Sequence, residues 1–267
     1  MFDLRTRDWR VIGLLLTGWI AATGISGYVD ILRFGLGVEV LFNALTVVAS
    51  LVTLYYMVPA IQSRRRKMRR FLVVIGAGLG YFVLSLGPHA WMHTNYPEAA
   101  SYFVFQHVST FWAFLLIAYG FYLLTSVGRD IDVDSYHWKI VAVGALTSLL
   151  AGFYASRQPV AFAYRVEFWT AAFNIPLFLV SLYFVTRFVD MWGGVVGRGL
   201  QIVGIGTVLQ MAMYGAHIMW HSAGFPQSYV TPFGGITASI WLGFFHTAGT
   251  VAMLIIAYGF YILGNSS

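Results

Sequence analysis

Eight stretches of about 20 mostly apolar residues follow one another along this chain, each long enough to cross the ~30 Å hydrocarbon core of a bilayer as a helix. Apolar residues make up 59% of the 267 positions and charged residues only 10%, which leaves too little polar surface for a soluble globule. The sequence therefore predicts an all-α integral membrane protein. Its eight transmembrane helices are predicted near 11–32, 40–61, 71–93, 100–124, 139–156, 168–189, 199–221 and 237–263.

The chain contains an internal duplication. Aligning residues 39–93 with 167–221 without a gap gives 13 identities in 55 positions, and aligning 105–124 with 244–263 gives 11 in 20. The two copies predict two four-helix repeats, residues 1–130 and 131–267. Because each repeat has an even number of helices, the repeats are expected to be parallel in the membrane.

Basic residues predict the orientation, because short loops rich in Lys and Arg stay on the cytoplasmic side. Thirteen of the 16 Lys and Arg residues fall at one side of the predicted helices. Both termini are therefore expected in the cytoplasm, with the chain in the cytoplasmic membrane. The net charge of +6 is explained by this asymmetry and by contact with membrane lipid, and no nucleic-acid partner is indicated.

Six of the seven histidines form two equivalent sets of three, and each set has one glutamate. The first set is Glu39, His89, His93 and His107; the second is Glu167, His217, His221 and His246. His137 stands outside both sets and is interpreted as an interfacial residue. Ionisable groups inside the hydrocarbon are costly and usually mark a functional site. The two sets, expected near the outer face, are therefore the candidate sites.

Helix spacing predicts cross-helix pairs. Counting 1.5 Å per residue from the outer helix ends places His89 near the depth of His107, and His217 near that of His246. Imidazoles from two helices of a bundle are common ligands of haem iron. These four histidines are therefore predicted to be the axial ligands of two b-type haems, with His93 and His221 as alternative ligands or proton carriers. Glu39 and Glu167 are predicted as catalytic proton acceptors.

Glycines on the third and seventh predicted helices fit either a flat haem or ordinary helix contacts in a membrane. They are Gly76, Gly78, Gly80, Gly87, Gly204, Gly206 and Gly215. The chain has no cysteine, which excludes disulfides, thiolate metal ligands and covalently attached c-type haem.

Two other functions remain open. Three histidines and one glutamate in each copy also suit a non-haem copper, iron or zinc centre of a membrane oxidoreductase. Alternatively, parallel repeats can enclose the substrate site of a transporter that has no cofactor.

The two four-helix halves, with histidine pairs near the outer face, resemble haem A synthase and, more loosely, di-haem membrane cytochromes b. The resemblance implies one b-type haem in each half and electron transfer from a quinol or a periplasmic redox protein to an acceptor. A chain with no sizeable soluble domain is expected to be a subunit of a larger complex. The string His89-x3-His93-x13-His107 is also similar to the D-x3-H-x12-H motif of copper membrane monooxygenases, which implies copper as an alternative metal.

Overall fold

A computed structural model of the chain describes the backbone of residues 4–31, 35–64, 66–95, 100–125, 136–222 and 238–265. Within these ranges, the following side chains lie outside the description: 26–31, 35–40, 42–43, 66–67, 87–95, 100, 136–137, 160, 164, 189–190, 217–222 and 238–243. The described backbone is almost entirely helical. These are α1 (Thr6–Ile31), α2 (Gly35–Gln62), α3 (Arg66–Asn95), α4 (Ala100–Thr125), α5 (Tyr136–Ala155), α6 (Val160–Met191), α7 (Gly194–Ser222) and α8 (Ala238–Gly264).

The structure confirms the prediction of an all-helical membrane protein. Among the described residues, seven helices, α2 to α8, have windows long and apolar enough to span a bilayer. Helix α1 has 26 residues, which is also long enough, and its side chains are described as far as Ile25. Several helices begin before the predicted apolar run, most of all α6, which starts at Val160 rather than 168.

Large apolar side chains cover much of the described surface. Leu84 and Phe153, for example, are 73% and 63% exposed. An apolar surface of this extent is unfavourable in water, whereas lipid tails solvate it well. The described part of the chain is therefore suited to contact lipid on its periphery.

Helices α4 and α8 each pack against three neighbouring helices. Helix α4 packs against α3, α5 and α6, and α8 packs against α7, α1 and α2. Both helices thus make contacts across the predicted boundary between residues 130 and 131. The division into domains, the parallel orientation of the repeats and the cytoplasmic position of the termini stay predictions.

Glycines allow the closest helix approaches. A Cβ at Gly78 would lie 2.7 Å from Ile117 Cγ1 and 2.8 Å from the Ala113 carbonyl oxygen, so α3 and α4 nearly touch there. Helices α7 and α8 approach in the same way at Gly206, against Ile256. These glycines thus lie at helix contacts, which is the ordinary role of small residues in membrane bundles.

Side-chain hydrogen bonds also join helices. Thr53 Oγ1 on α2 donates to the Met253 carbonyl oxygen on α8 at 2.8 Å. At the opposite end of the bundle from Ala100 and Val160, Asp8 accepts a hydrogen bond from the Tyr258 hydroxyl at 2.9 Å and lies 3.4 Å from Arg198 Nε. Asp8 is 2% exposed. This three-residue contact holds the start of α1 against α7 and α8.

Candidate functional site

The described candidate site centres on His107 and Glu167. Each lies seven residues after the first residue of its helix, α4 or α6, which is about 10 Å along the axis at 1.5 Å per residue. Both residues are 4% exposed, and His107 Nε2 lies 3.4 Å from Glu167 Oε1. This separation is within ion-pair range but exceeds the 2.7–2.9 Å typical of a charge-assisted hydrogen bond.

The other ring nitrogen of His107 contacts α7. His107 Nδ1 and the Tyr214 hydroxyl oxygen are 2.8 Å apart and share a hydrogen bond. The ring of Phe103 lies nearly parallel to the imidazole, with 9° between their planes and 6.5 Å between their centroids. The imidazole is therefore hydrogen-bonded at Nδ1, close to a carboxylate at Nε2 and parallel to an aromatic ring.

Two more polar side chains of α4 complete this network. Gln106 Nε2 donates to the Tyr214 hydroxyl at 2.9 Å and to Thr110 Oγ1 at 3.4 Å. Gln106 is 2% exposed and Thr110 is fully buried. His107, Glu167 and these neighbours form a polar cluster, from here called the His107 cluster.

The His107 cluster combines residues of both predicted repeats. Glu167 and His107 belong to different sets in the sequence analysis, yet in the structure they face each other because α6 packs on α4. Tyr214 and Gln106 were not among the predicted site residues. Their one sequence signal is a polar side chain close to a predicted ligand, since Tyr214 precedes His217 by three residues and Gln106 precedes His107 by one.

His246, the residue aligned with His107, lies half-buried on α8. Its carbonyl oxygen accepts a hydrogen bond from Thr46 Oγ1 of α2 at 3.3 Å, and Thr46 is also 2.8 Å from Thr250 Oγ1. Thus α2 packs beside His246 as α6 packs beside His107.

The side chains of the other predicted site residues lie outside the described residues. They are Glu39, His89, His93, His217 and His221, together with the interfacial candidate His137. The backbone nevertheless gives the depth of one of them. Phe82 on α3 stacks on Phe114 of α4 with 5.8 Å between centroids, and the two helices are antiparallel. Seven residues further along α3, position 89 is therefore level with His107.

No three histidine, aspartate or glutamate side chains converge in a metal-binding group within the described part of the chain. The His107 cluster contributes two potential ligands, one imidazole and one carboxylate.

Comparison with protein-family models, with curated proteins and with solved structures finds no match to this chain. Its function is therefore inferred from the geometry of the His107 cluster and from the duplication.

Proposed function

We propose that this chain is a membrane metalloprotein in which His107 and Glu167 bind a copper, iron or zinc ion. The observation that carries the proposal is the 3.4 Å between His107 Nε2 and Glu167 Oε1 inside the bundle. Two ligand atoms bonded tetrahedrally to one ion at about 2.0–2.1 Å lie about 3.3–3.4 Å apart. The pair is thus spaced as two ligands of one small ion.

The surroundings of His107 support the same assignment. A metal-bound imidazole usually donates a hydrogen bond from its second ring N–H, and this bond fixes the orientation of the ring. Tyr214 is placed to be this partner, because its hydroxyl lies 2.8 Å from His107 Nδ1. An imidazole and a carboxylate form a donor set that suits iron, copper and zinc.

The remaining ligands are expected from the histidines that accompany this pair in the sequence. Position 89 is level with His107 across the contact of α3 with α4. His217 and His221 follow Tyr214 by three and seven residues on α7, which are spacings that return to one face of a helix. The duplication extends the proposal to a second centre at His246, with Glu39 as the aligned glutamate.

Of the kinds of centre that the sequence allows, we therefore favour a copper, iron or zinc ion without haem. An axial haem ligand must direct Nε2 at the iron of a flat macrocycle, whereas Glu167 Oε1 lies 3.4 Å from Nε2 of His107. Gly78 and Gly206, which could have faced such a plate, contact neighbouring helices, whereas an added Cβ at Gly80 or Gly215 would meet no atom within 4 Å. The assignment of two b-type haems, and of electron transfer with a quinol or a partner subunit, stays a prediction. A bound copper or iron ion would supply one-electron chemistry, and a zinc ion would act as a Lewis acid.

Metal and haem analysis of the purified protein tests the proposal. We expect bound copper, iron or zinc in the wild type, without the Soret band of a porphyrin. Glu167→Gln and His107→Gln should each lose metal equivalent to one centre. The matched control is Asp8→Asn, because Asp8 is an equally buried carboxylate at the opposite end of the bundle.

Three outcomes decide against it. A Soret band that accounts for all the iron replaces the proposal with the cytochrome prediction. Protein that binds neither metal nor haem after reconstitution with each refutes both. Equal metal loss in Asp8→Asn and Glu167→Gln would show that the loss reflects general destabilisation rather than a missing ligand.

A further inference from the structure

A groove lies between α2 and α8, close to the end of the bundle where Leu263 packs on Gly199. Its volume is about 500 Å³, which falls within the range of sites that bind small organic molecules. Three tyrosines contribute to its walls, and it is from here called the tyrosine groove. Six of the residues that line it are Tyr55, Tyr56, Val58, Tyr261, Gly264 and Asn265.

The tyrosine groove opens toward the outside of the bundle. The side chains of Tyr55, Val58 and Tyr261 are 73%, 50% and 41% exposed. On a helix that spans a membrane, side chains exposed in this way meet lipid. Tyrosine is enriched where the hydrocarbon meets the lipid headgroups, and Tyr261 lies three residues before the end of α8. The groove is therefore placed to receive the part of an acyl chain that lies next to its headgroup.

Positive charge lies at the same end of the groove. Arg64 follows α2 by two residues, and its Nη2 donates a hydrogen bond to the carbonyl oxygen of Leu263, the neighbour of Gly264. The sequence from 64 to 70 has six basic residues and no acidic one. They are Arg64, Arg65, Arg66, Lys67, Arg69 and Arg70. Clusters of about four to eight Lys and Arg residues beside a membrane helix attract anionic lipids.

We propose that the tyrosine groove binds one anionic phospholipid, with an acyl chain between α2 and α8 and the phosphate beside Arg64. The hydrocarbon tails of neutral and anionic lipids are alike, so the walls of the groove cannot distinguish them. Selectivity for an anionic headgroup comes from the basic residues at its end. The proposal does not involve the metal centre, because the groove lies at the other end of the bundle from His107.

Arg64 is suited to hold a phosphate at this position. The last carbonyl groups of a helix carry partial negative charge, which disfavours an anion close to them. The contact of Arg64 with the Leu263 carbonyl places a cation at this helix end, and Asn265 Nδ2 donates a further hydrogen bond to the Tyr261 carbonyl at 3.0 Å. A guanidinium has several N–H donors in a planar fork. One guanidinium can therefore contact the Leu263 carbonyl and a phosphate oxygen together.

Native mass spectrometry of the delipidated protein tests the proposal. Phosphatidylglycerol and phosphatidylcholine with the same acyl chains are titrated separately, and we expect one saturable site that prefers phosphatidylglycerol. Arg64→Gln keeps a donor for the Leu263 carbonyl but loses the charge, so the affinity for phosphatidylglycerol should fall about fivefold and that for phosphatidylcholine should not change. The matched control is Arg157→Gln, because Arg157 is an exposed arginine before α6, at the opposite end of the bundle. It should leave the preference unaltered.

A second pair of variants covers the case in which Arg64→Gln does not fold. Val58→Phe fills part of the groove and should weaken the binding of phosphatidylglycerol. Val48→Phe adds the same ring on α2 outside the groove, where the side chain is 56% exposed, and should not weaken it. Equal affinity of the wild type for the two lipids overturns the proposal. Equal affinities within each pair of variants also overturn it, because they would show that the groove does not hold the lipid.

Discussion

Gly78→Ala should destabilise the protein by separating α3 from α4. The added Cβ would lie 2.7 Å from Ile117 Cγ1 and 2.8 Å from the Ala113 carbonyl oxygen. Ordinary contacts need roughly 0.6 Å more, and a close-packed interior resists the shift. Ala113 contributes backbone, which cannot rotate away as a side-chain tip does. Overpacking of this kind costs about 1–3 kcal/mol of the free energy of unfolding.

Gly80→Ala is the matched control, because it lies two residues away on α3 and its added Cβ would have no atom within 4 Å. Alanine in a helix is more favourable than glycine by up to about 1 kcal/mol. Both variants gain this propensity, so they should differ by the overpacking cost alone, about 1–3 kcal/mol, with Gly78→Ala the less stable.

Thermal unfolding in detergent, followed by tryptophan fluorescence, measures this difference. For a chain of this size, 1 kcal/mol corresponds to about 2–4 °C in Tm, so 2 kcal/mol corresponds to about 4–8 °C. If Gly78→Ala and Gly80→Ala melt within about 1 °C of each other, α3 and α4 do not approach at Gly78, and the reasoning is wrong.

Three further variants test other contacts by the same unfolding measurement. Thr53→Val removes the hydrogen bond to Met253 and should cost about 1 kcal/mol, whereas Thr53→Ser, which keeps the hydroxyl, should cost less; equal losses would contradict this. Asp8→Asn weakens the charged contact with Arg198 and should lower the free energy of unfolding by about 2 kcal/mol. Added salt should lower the Tm of the variant less than that of the wild type, because the charged contact is already weakened in the variant. Trp19→Phe loses a 2.7 Å hydrogen bond to α8 and should cost about 1 kcal/mol; an unchanged Tm would refute that contact.

The helices were predictable because crossing a bilayer requires long, uninterrupted apolar runs. The pattern within each run did not indicate which helices pack together, since lipid-facing and buried surfaces are both apolar. For this reason Glu167 was grouped with the histidines of its own copy, although its described partner is His107.

The histidines were found because the duplication repeats them. Recurrence in both copies did not identify Tyr214 and Gln106, because the aligned residues are Leu86 and Phe245. A polar residue that occurs in one copy alone cannot be recognised by its recurrence. Its contacts exist only in the folded bundle, where the Tyr214 hydroxyl on α7 meets Gln106 and His107 on α4.

The pairing of His107 with Glu167 has a consequence for the order of assembly. Helices α6 and α7 emerge from the ribosome after α4, so the surroundings of His107 cannot be complete until most of the chain has been synthesised. A hypothetical ancestor with a single copy would have carried the matching histidine and glutamate in one polypeptide. To build the same contact, two such subunits would have had to pack the helix corresponding to α4 in one against the helix corresponding to α6 in the other, and gene fusion would have made that partnership permanent.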